Sequence, residues 1–528
     1  MAWRSLLTES KRNCRNSVCG GFLNRFERSS VRVSGSFVGN SEVRGSKLGE
    51  SGQSLYNSRS LTSDSVTDSV PLLQHCIDTA APALPDVIKT DTLQIENGEV
   101  LYSGMSSREL LSTLFNLSLV GCEPLVDLSI KLLKSPLVEH AAVRIPVLQA
   151  VKHTAYSHFC AGENVKEASA TLQRMWELGL KGILDYSLED ATDNASCDQN
   201  LQGFLNTVQT TVRLPADSVS FACVKITALC PLFLLERVSD LLRWQHQHPD
   251  HGNLPWMQDT LPILASCSPT YHTTSAPEPL TATEEKDLKL AEDRLRTLCK
   301  ACEANSLPLL IDAEYTSVQP AIDYFTYSAS LEFNKTAKPF VYGTIQAYLK
   351  DALPRLQLAS DEATRRGIQI GLKLVRGAYI TRENALAASL CAPSPIHSSI
   401  QDTHRCYDAC AGLMMQKAAI AEASVVLATH NFESGKTAAA KAEELNIRKG
   451  NDRVQFAQLK GMADSLSLGL VQSGFQVSKY LPFGPVDHVI PYLIRRAEEN
   501  RGLLSTTAAD RQRISKELSR RLRAFMTG

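Results

Sequence analysis

Tyr492, Arg495, Arg496 and Glu499 stand at i, i+3, i+4 and i+7, a spacing that gathers them on one side of a helix. Val486, Val489, Ile490, Leu493, Ile494 and Ala497 fill the opposite side, and the segment is entered directly from an apolar run around Tyr480. A planar guanidinium makes two parallel bonds to a carboxylate, so adjacent arginines suit the capture of a small acid. The competing reading is a salt-bridged outer face in water. Which one holds depends on what the helix lies over.

The elements that would position such a helix can be read along the chain. From Ser106 to about Trp176, Leu110, Leu111, Leu114, Leu117, Leu125, Leu128, Leu132 and Leu133 recur at helical spacing. Ser-Ser-Arg-Glu at 106–109 resembles a capping box. Beyond Gly179, eight short apolar runs alternate with helical stretches, at 182–187, 220–227, 307–312, 339–346, 370–377, 424–430, 454–459 and 475–480. Near-continuous apolar strands of this kind describe a parallel sheet covered on both faces, and eight of them close a (β/α)8 TIM-type barrel. An open doubly wound sheet is the alternative. No Gly-x-Gly-x-x-Gly follows the first strand, which speaks against it.

In such a barrel, chemistry collects at the C-terminal ends of the strands. Those ends carry Asp185, Lys225, Asp312, Glu314, Gln346, Arg376, His430, Asn431, Gln458 and Tyr480. Buried charges cost several kcal/mol unless paired, so a crown of this kind has to be functional rather than incidental. Gly377, after Arg376, supplies a tight backbone approach of the sort needed where a chain hugs a cofactor.

The chain has 528 residues, with 43% hydrophobic and 21% charged residues, as in ordinary globular proteins. Its net charge of -1 argues against a nucleic-acid partner. Residues 1–47 nevertheless hold nine Lys/Arg against three Asp/Glu, interleaved with Leu6, Leu7, Phe22, Leu23 and Phe26. That composition reads as an organelle transit peptide, with a basic disordered tail as the alternative. No uninterrupted stretch reaches the length of a membrane span, so any membrane contact is expected to be peripheral. Fourteen cysteines follow no disulfide framework, and neither the lone Cys299/Cys302 pair nor the loop histidines 246, 248 and 251 are assigned to a metal. The expected organisation is a transit peptide and linker at 1–65, a helical region at 66–176 and a barrel at 177–528, with insertions near 246–283 and 388–404.

Seven motifs then occur in order. They are Val-Lys-Ile-Thr-Ala-Leu at 224–229, Leu-Ile-Asp-Ala-Glu at 310–314, Ile-Gln-Ala-Tyr-Leu-Lys at 345–350 and Lys-Leu-Val-Arg-Gly-Ala-Tyr at 373–379. Ala-Thr-His-Asn-Phe at 428–432, Gln-Leu-Lys-Gly-Met at 458–462, and Tyr480 followed by Tyr-Leu-Ile-Arg-Arg-Ala-Glu-Glu-Asn at 492–500 complete the set. From about residue 160 to 505 the chain closely resembles the FAD-dependent proline dehydrogenases, the eukaryotic mitochondrial branch and its plant members above all. The resemblance implies a barrel with FAD at its mouth and the last helix laid across it. It assigns Lys225 to the flavin N5 region and Gln346, Lys373, Val375, Gly377, Ala378, His430, Asn431 and Glu499 to the cofactor. Lys373 stands where bacterial relatives have arginine. Arg495 and Arg496 are implied to clamp the carboxylate of L-proline, with Asp312, Ala378, Tyr379, Leu459, Tyr480 and Tyr492 completing the pocket. Glu163 is implied as a gate paired with the first arginine.

The implied reaction is hydride transfer from proline C5 to FAD, giving Δ1-pyrroline-5-carboxylate, with ubiquinone as electron acceptor on the matrix side of the mitochondrial inner membrane. Hydroxyproline dehydrogenase is the nearest rival on the same scaffold, and relatives with that preference carry a smaller residue in place of the tyrosine matching Tyr480. A noncatalytic scaffold would not need the lysines and arginines. A phosphate-binding aldolase would want a glycine-rich grip that the isolated Gly461 and Gly484 do not make.

Overall fold

The apolar runs form β1 (Lys181–Tyr186), β2 (Val219–Val224), β3 (Leu309–Ile311), β4 (Val341–Gln346), β5 (Ile370–Val375), β6 (Ala423–Ala428), β7 (Val454–Leu459) and β8 (Gln476–Phe483). Each pairs in parallel with the next and β8 pairs with β1, so the sheet closes into an eight-stranded barrel and the open-sheet alternative is excluded. The structure, a computed structural model, describes residues 97–502 and 504–527 with Leu93 and Ile95, and gives 139, 251, 499–502 and 504–506 by backbone only. The expected transit peptide at 1–65 lies outside the described residues. All described residues belong to one unit, 69–528.

Period-two alternation places one set of side chains inside. Ile183, Phe221, Cys223, Leu310, Tyr342, Val426, Ala457 and Tyr480 pack together as the barrel's interior. One alternation further on, the same inward direction delivers polar groups: Asp185 follows Ile183, Lys225 follows Cys223, Asp312 follows Leu310, and His430 follows Ala428. The apolar plug thus supports a polar layer at the mouth. Burying each aromatic or aliphatic plug residue contributes about 1.5–3 kcal/mol, which offsets the burial of that layer.

Before the barrel come α1 (Ser107–Val120), α2 (Glu123–Leu133), α3 (Ala141–Val151) and α4 (Val165–Glu177). The capping box at the start of α1 is present, with Ser106 accepting from the Glu109 amide and Glu109 from the Ser106 amide. The barrel helices are α5 (Asn194–Thr211), α6 (Leu232–Gln247), α7 (Ala282–Ala304), α8 (Gln319–Phe333) and α9 (Ala352–Arg365). They continue with α10 (Ile380–Ser389), α11 (Ile400–Ala419), α12 (Phe432–Glu444) and α13 (Asp464–Gln472). After β8 follow α14 (Val486–Gly502) and α15 (Leu504–Thr527).

The seam between β8 and β1 explains the placement of α14. Its outer face is covered by α4, through Ala168 and Leu172 against Leu184, Leu481 and Phe483. Gly182 makes that approach possible, since a Cβ there would meet Leu172 at 2.5 Å. With the seam closed from outside by a helix preceding β1, the helix following β8 lies over the mouth instead. Its apolar side, Val486, Val489 and Leu493, packs on Tyr156, Phe159, Cys160 and Met462, with Val120, Leu148 and Val151 at the edge. The N-terminal helices therefore cover the stripe left over when the arginines face inward.

Candidate active site at the barrel mouth

One cavity of about 800 Å3 opens at the C-terminal ends of the strands. Its walls include Lys225, Asp312, Gln346, Lys373, Val375, Gly377, Ala378, Tyr379, His430, Asn431, Leu459, Tyr480, Tyr492, Arg495 and Arg496. Fifteen residues singled out in the sequence thus meet in one place. The volume lies within the roughly 300–1,000 Å3 of small-molecule and cofactor sites.

Its floor is a charged network around Asp312. One carboxylate oxygen accepts from Lys225 at 3.2 Å and from the Tyr480 hydroxyl at 2.7 Å; the other accepts from Lys373 at 2.5 Å. Lys225 also lies 3.7 Å from Asp185. Burial opposes the charge on Asp312, but Lys373 and Lys225 outweigh it and hold the carboxyl well below its usual range. In the same layer burial pushes the Asp185 carboxyl up, and the neighbouring carboxylates push Lys225 up against its own burial. An acid saturated by three donors is a poor base. Asp312 instead fixes two ammonium groups and a phenol.

Arg496 is buried and Arg495 half-buried, so the solvent-face reading of the pair fails. Arg495 lies 5.4 Å from the Tyr379 ring, and Arg496 lies 5.0 Å from that of Tyr492. Arg495 already grips a carboxylate: Glu189 accepts two of its bonds, at 2.8 and 3.0 Å. Burial would raise the Glu189 carboxyl, but the guanidinium holds it below its usual value. The expectation for Glu163 needs correction here. Its carboxylate pairs with Lys152 at 2.8 Å, and it is absent from the cavity wall. Glu163 stands just before α4, beside the end of β8, whereas Glu189 follows β1 and is the carboxylate that Arg495 holds. Glu499 lies on α14, and its side chain is outside the described part.

The remaining walls are rich in donors. The His430 imidazole nitrogen Nε2 accepts from the Leu459 amide at 3.1 Å, which puts the ring proton on Nδ1. Burial, helped by Arg496, lowers its pKa to about 3, so the ring is neutral. Gln346 spends Nε2 on the Glu314 carbonyl at 2.6 Å. Asn431 caps α12, accepting from the Ser434 amide at 2.9 Å, so the helix begins at the cavity wall. Arg376 is braced there by Thr429 and Ser434, each at 2.7 Å, and by His404 at 3.0 Å. Cations, amides and a helix N-terminus are the donor set a diphosphate requires, so these residues fit the flavin dinucleotide the resemblance implies.

Gly377 has φ +136°, and a Cβ there would lie 2.5 Å from the Tyr348 ring. The tight approach expected from the sequence is made to this aromatic ring, and Gly377 itself also lines the cavity. Three features escaped the sequence reading. Glu189 sits in a loop with no periodicity. Arg376 belonged to the strand-end crown without a role. The stretch expected as an insertion near 388–404 supplies a wall, including Ser394, Ile396, His397 and His404. It is tied down by bonds of 2.9 Å from the Lys350 amide to Pro395 and from the His397 amide to Tyr348.

Comparison with known proteins gives a consistent result. A profile described as proline dehydrogenase matches residues 168–509. The chain is 47% identical over 470 residues to proline dehydrogenase 2, mitochondrial, of Arabidopsis thaliana, covering 86% of this chain and 98% of that one. It is 48% identical over 435 residues to proline dehydrogenase 1, mitochondrial, of the same plant, covering 82% and 87%. Among solved structures, proline utilization A from Bdellovibrio bacteriovorus, inactivated by N-propargylglycine, aligns with a TM-score of 0.53. At 19% identity, over 81% of this chain and 40% of that longer one, it supports the barrel fold alone.

Proposed function

The chain belongs to the proline dehydrogenase family, and from that premise we propose how its barrel mouth works. It is a mitochondrial, FAD-dependent oxidoreductase that converts L-proline to Δ1-pyrroline-5-carboxylate, a step of proline catabolism. FAD, when bound, supplies the acceptor for the hydride leaving proline C5.

The residues divide the remaining work. Arg495 and Arg496 hold the substrate carboxylate, while Tyr379, Ala378, Leu459, Tyr480 and Tyr492 surround the ring. Capturing a carboxylate from two positions fixes the ring's orientation, and orientation is worth several kcal/mol of barrel-mouth chemistry. Lys225 and Lys373, pinned by Asp312, would present a fixed cationic field to a bound flavin and favour its reduced, more negative form. Gln346, His430 and Asn431 offer polar groups to the dinucleotide, with Val375, Gly377 and Glu499 assigned to the same task. The extra proton on the proline nitrogen has to leave before hydride can. Asp312, held well below its usual range by three donors, and His430, with Nε2 occupied, are both poor bases for it. The convergence of the arginine pair and the two lysines on one cavity carries this reading.

Adding L-proline without oxygen to the yellow protein tests it. Loss of the oxidised flavin absorbance is expected, and an unchanged spectrum counts against it. Tyr480, bonded to Asp312 at 2.7 Å, crowds the substrate side and favours proline over a hydroxylated ring. Faster dye reduction with 4-hydroxyproline than with proline would reverse that preference. Ubiquinone is the proposed electron acceptor and the inner membrane the proposed site of work.

A further inference from the structure

Two helices that pack inward on the protein also present apolar stripes outward. On α1, Leu110 and Leu117 are buried, yet Leu111 and Phe115, one turn apart, are 57% and 60% exposed. On α2, Val126 and Ile130 are buried, yet Leu125, Leu128 and Leu132 share an exposed side, with Leu128 64% exposed. Ile145 on α3 adds another exposed side chain. No Asp, Glu, Lys or Arg occurs from 110 to 122. Taken together, α1 and α2 are apolar enough to suit a membrane, but they bend by 75° at their junction, and among the described residues no single helix is long and apolar enough to cross one.

A basic helix lies beside this face. Arg521 on α15 donates to the Tyr102 and Met105 carbonyls at the start of α1, and Arg511 lies against Gly121 at its end, so the two helices run antiparallel. From 511 to 527, α15 carries six Lys/Arg against the single carboxylate of Glu517. Lys516, Arg520 and Arg523 share a side at i, i+4 and i+7, and Leu522, Phe525 and Met526 are exposed among them, Phe525 at 86%. Exposed apolar stripes bordered by a basic, apolar-tipped helix match a surface that lies in the headgroup region of a bilayer.

We propose that the outer faces of α1 and α2, with α15, dock this protein onto an anionic lipid bilayer. The proposal deepens the membrane association stated above and rests on that reading for the choice of membrane. The N-terminal helices also reach the mouth cover through two surface ion pairs, from Lys134 at the end of α2 to Glu498 at 3.1 Å and from Arg144 of α3 to Asp487 at 3.0 Å. Docking therefore holds the α14 side of the cavity close to lipid, where an apolar electron acceptor is dissolved.

Flotation of the full chain with vesicles tests this. The wild type is expected to bind vesicles of phosphatidylcholine with phosphatidylglycerol at least about tenfold more tightly than phosphatidylcholine alone. Phe115→Glu with Leu128→Glu is expected to abolish binding to both. Lys516→Glu with Arg523→Glu is expected to remove most of the anionic preference. All variants should retain flavin and dye-linked proline oxidation, since none of these side chains lines the cavity, so loss of docking is separable from loss of activity. Wild type that floats with neither vesicle would overturn the proposal and leave the face to a preceding segment or a second copy. Equal binding by Phe115→Glu/Leu128→Glu and wild type would also overturn it, because lipid binding would then reside elsewhere, such as in basic residues 1–47.

Discussion

Each of the two arginines has a different partner in the protein, and that difference predicts different losses. Arg496→Met removes a carboxylate contact that ground state and transition state share. Its KM for proline is expected to rise roughly ten- to a hundredfold, as befits about 1.5–3 kcal/mol for a charge-assisted bond, with kcat little changed. Steady-state kinetics with a dye acceptor decide this. Arg495→Met should show the same rise and also melt earlier, because it leaves Glu189 without its cation. Glu314 makes a prediction about pH. Burial, with Glu189 and Asp190 nearby, raises its carboxyl from 4.5 to about 8. The folded protein keeps this proton where an unfolded chain has released it, so stability falls as pH rises from about 4.5 to about 8. Melting curves of Glu314→Gln should therefore be flatter across that window than those of wild type.

At the scale of elements, the bend after β5 leaves no room for a side chain. Gly377→Ala would push a methyl into the Tyr348 ring at a positive φ, displacing either the strand end or the ring that backs the cavity. The expected result is protein purified with much less flavin at normal yield, read from its visible spectrum. The barrel itself was legible because strand interiors must be apolar, strand ends polar, and the alternation between them regular. Lys225, Asp312 and Gln346 were found by that logic. Glu189 was not, since a loop residue obeys no period and its importance arises only when β8 returns beside β1. The same cause hid the role of 394–404: prolines and serines announce a loop but not the wall it builds. Glu163 misled because a carboxylate near an expected gate looks sufficient until Lys152 is seen to claim it.

The whole molecule is a ring, and rings have a place where their ends meet. Here that place lies between β8 and β1, closed from outside by α4 and above by α14. Arg495 comes from just after the last strand and Glu189 from just after the first, so their ion pair laces the two ends together. Any acid that draws Arg495 to itself undoes the lace and becomes its replacement. Cargo and rivet are then the same molecule. A cyclic carboxylate should raise the melting temperature while its amide does not, with scanning calorimetry of the flavin-loaded protein as the measure.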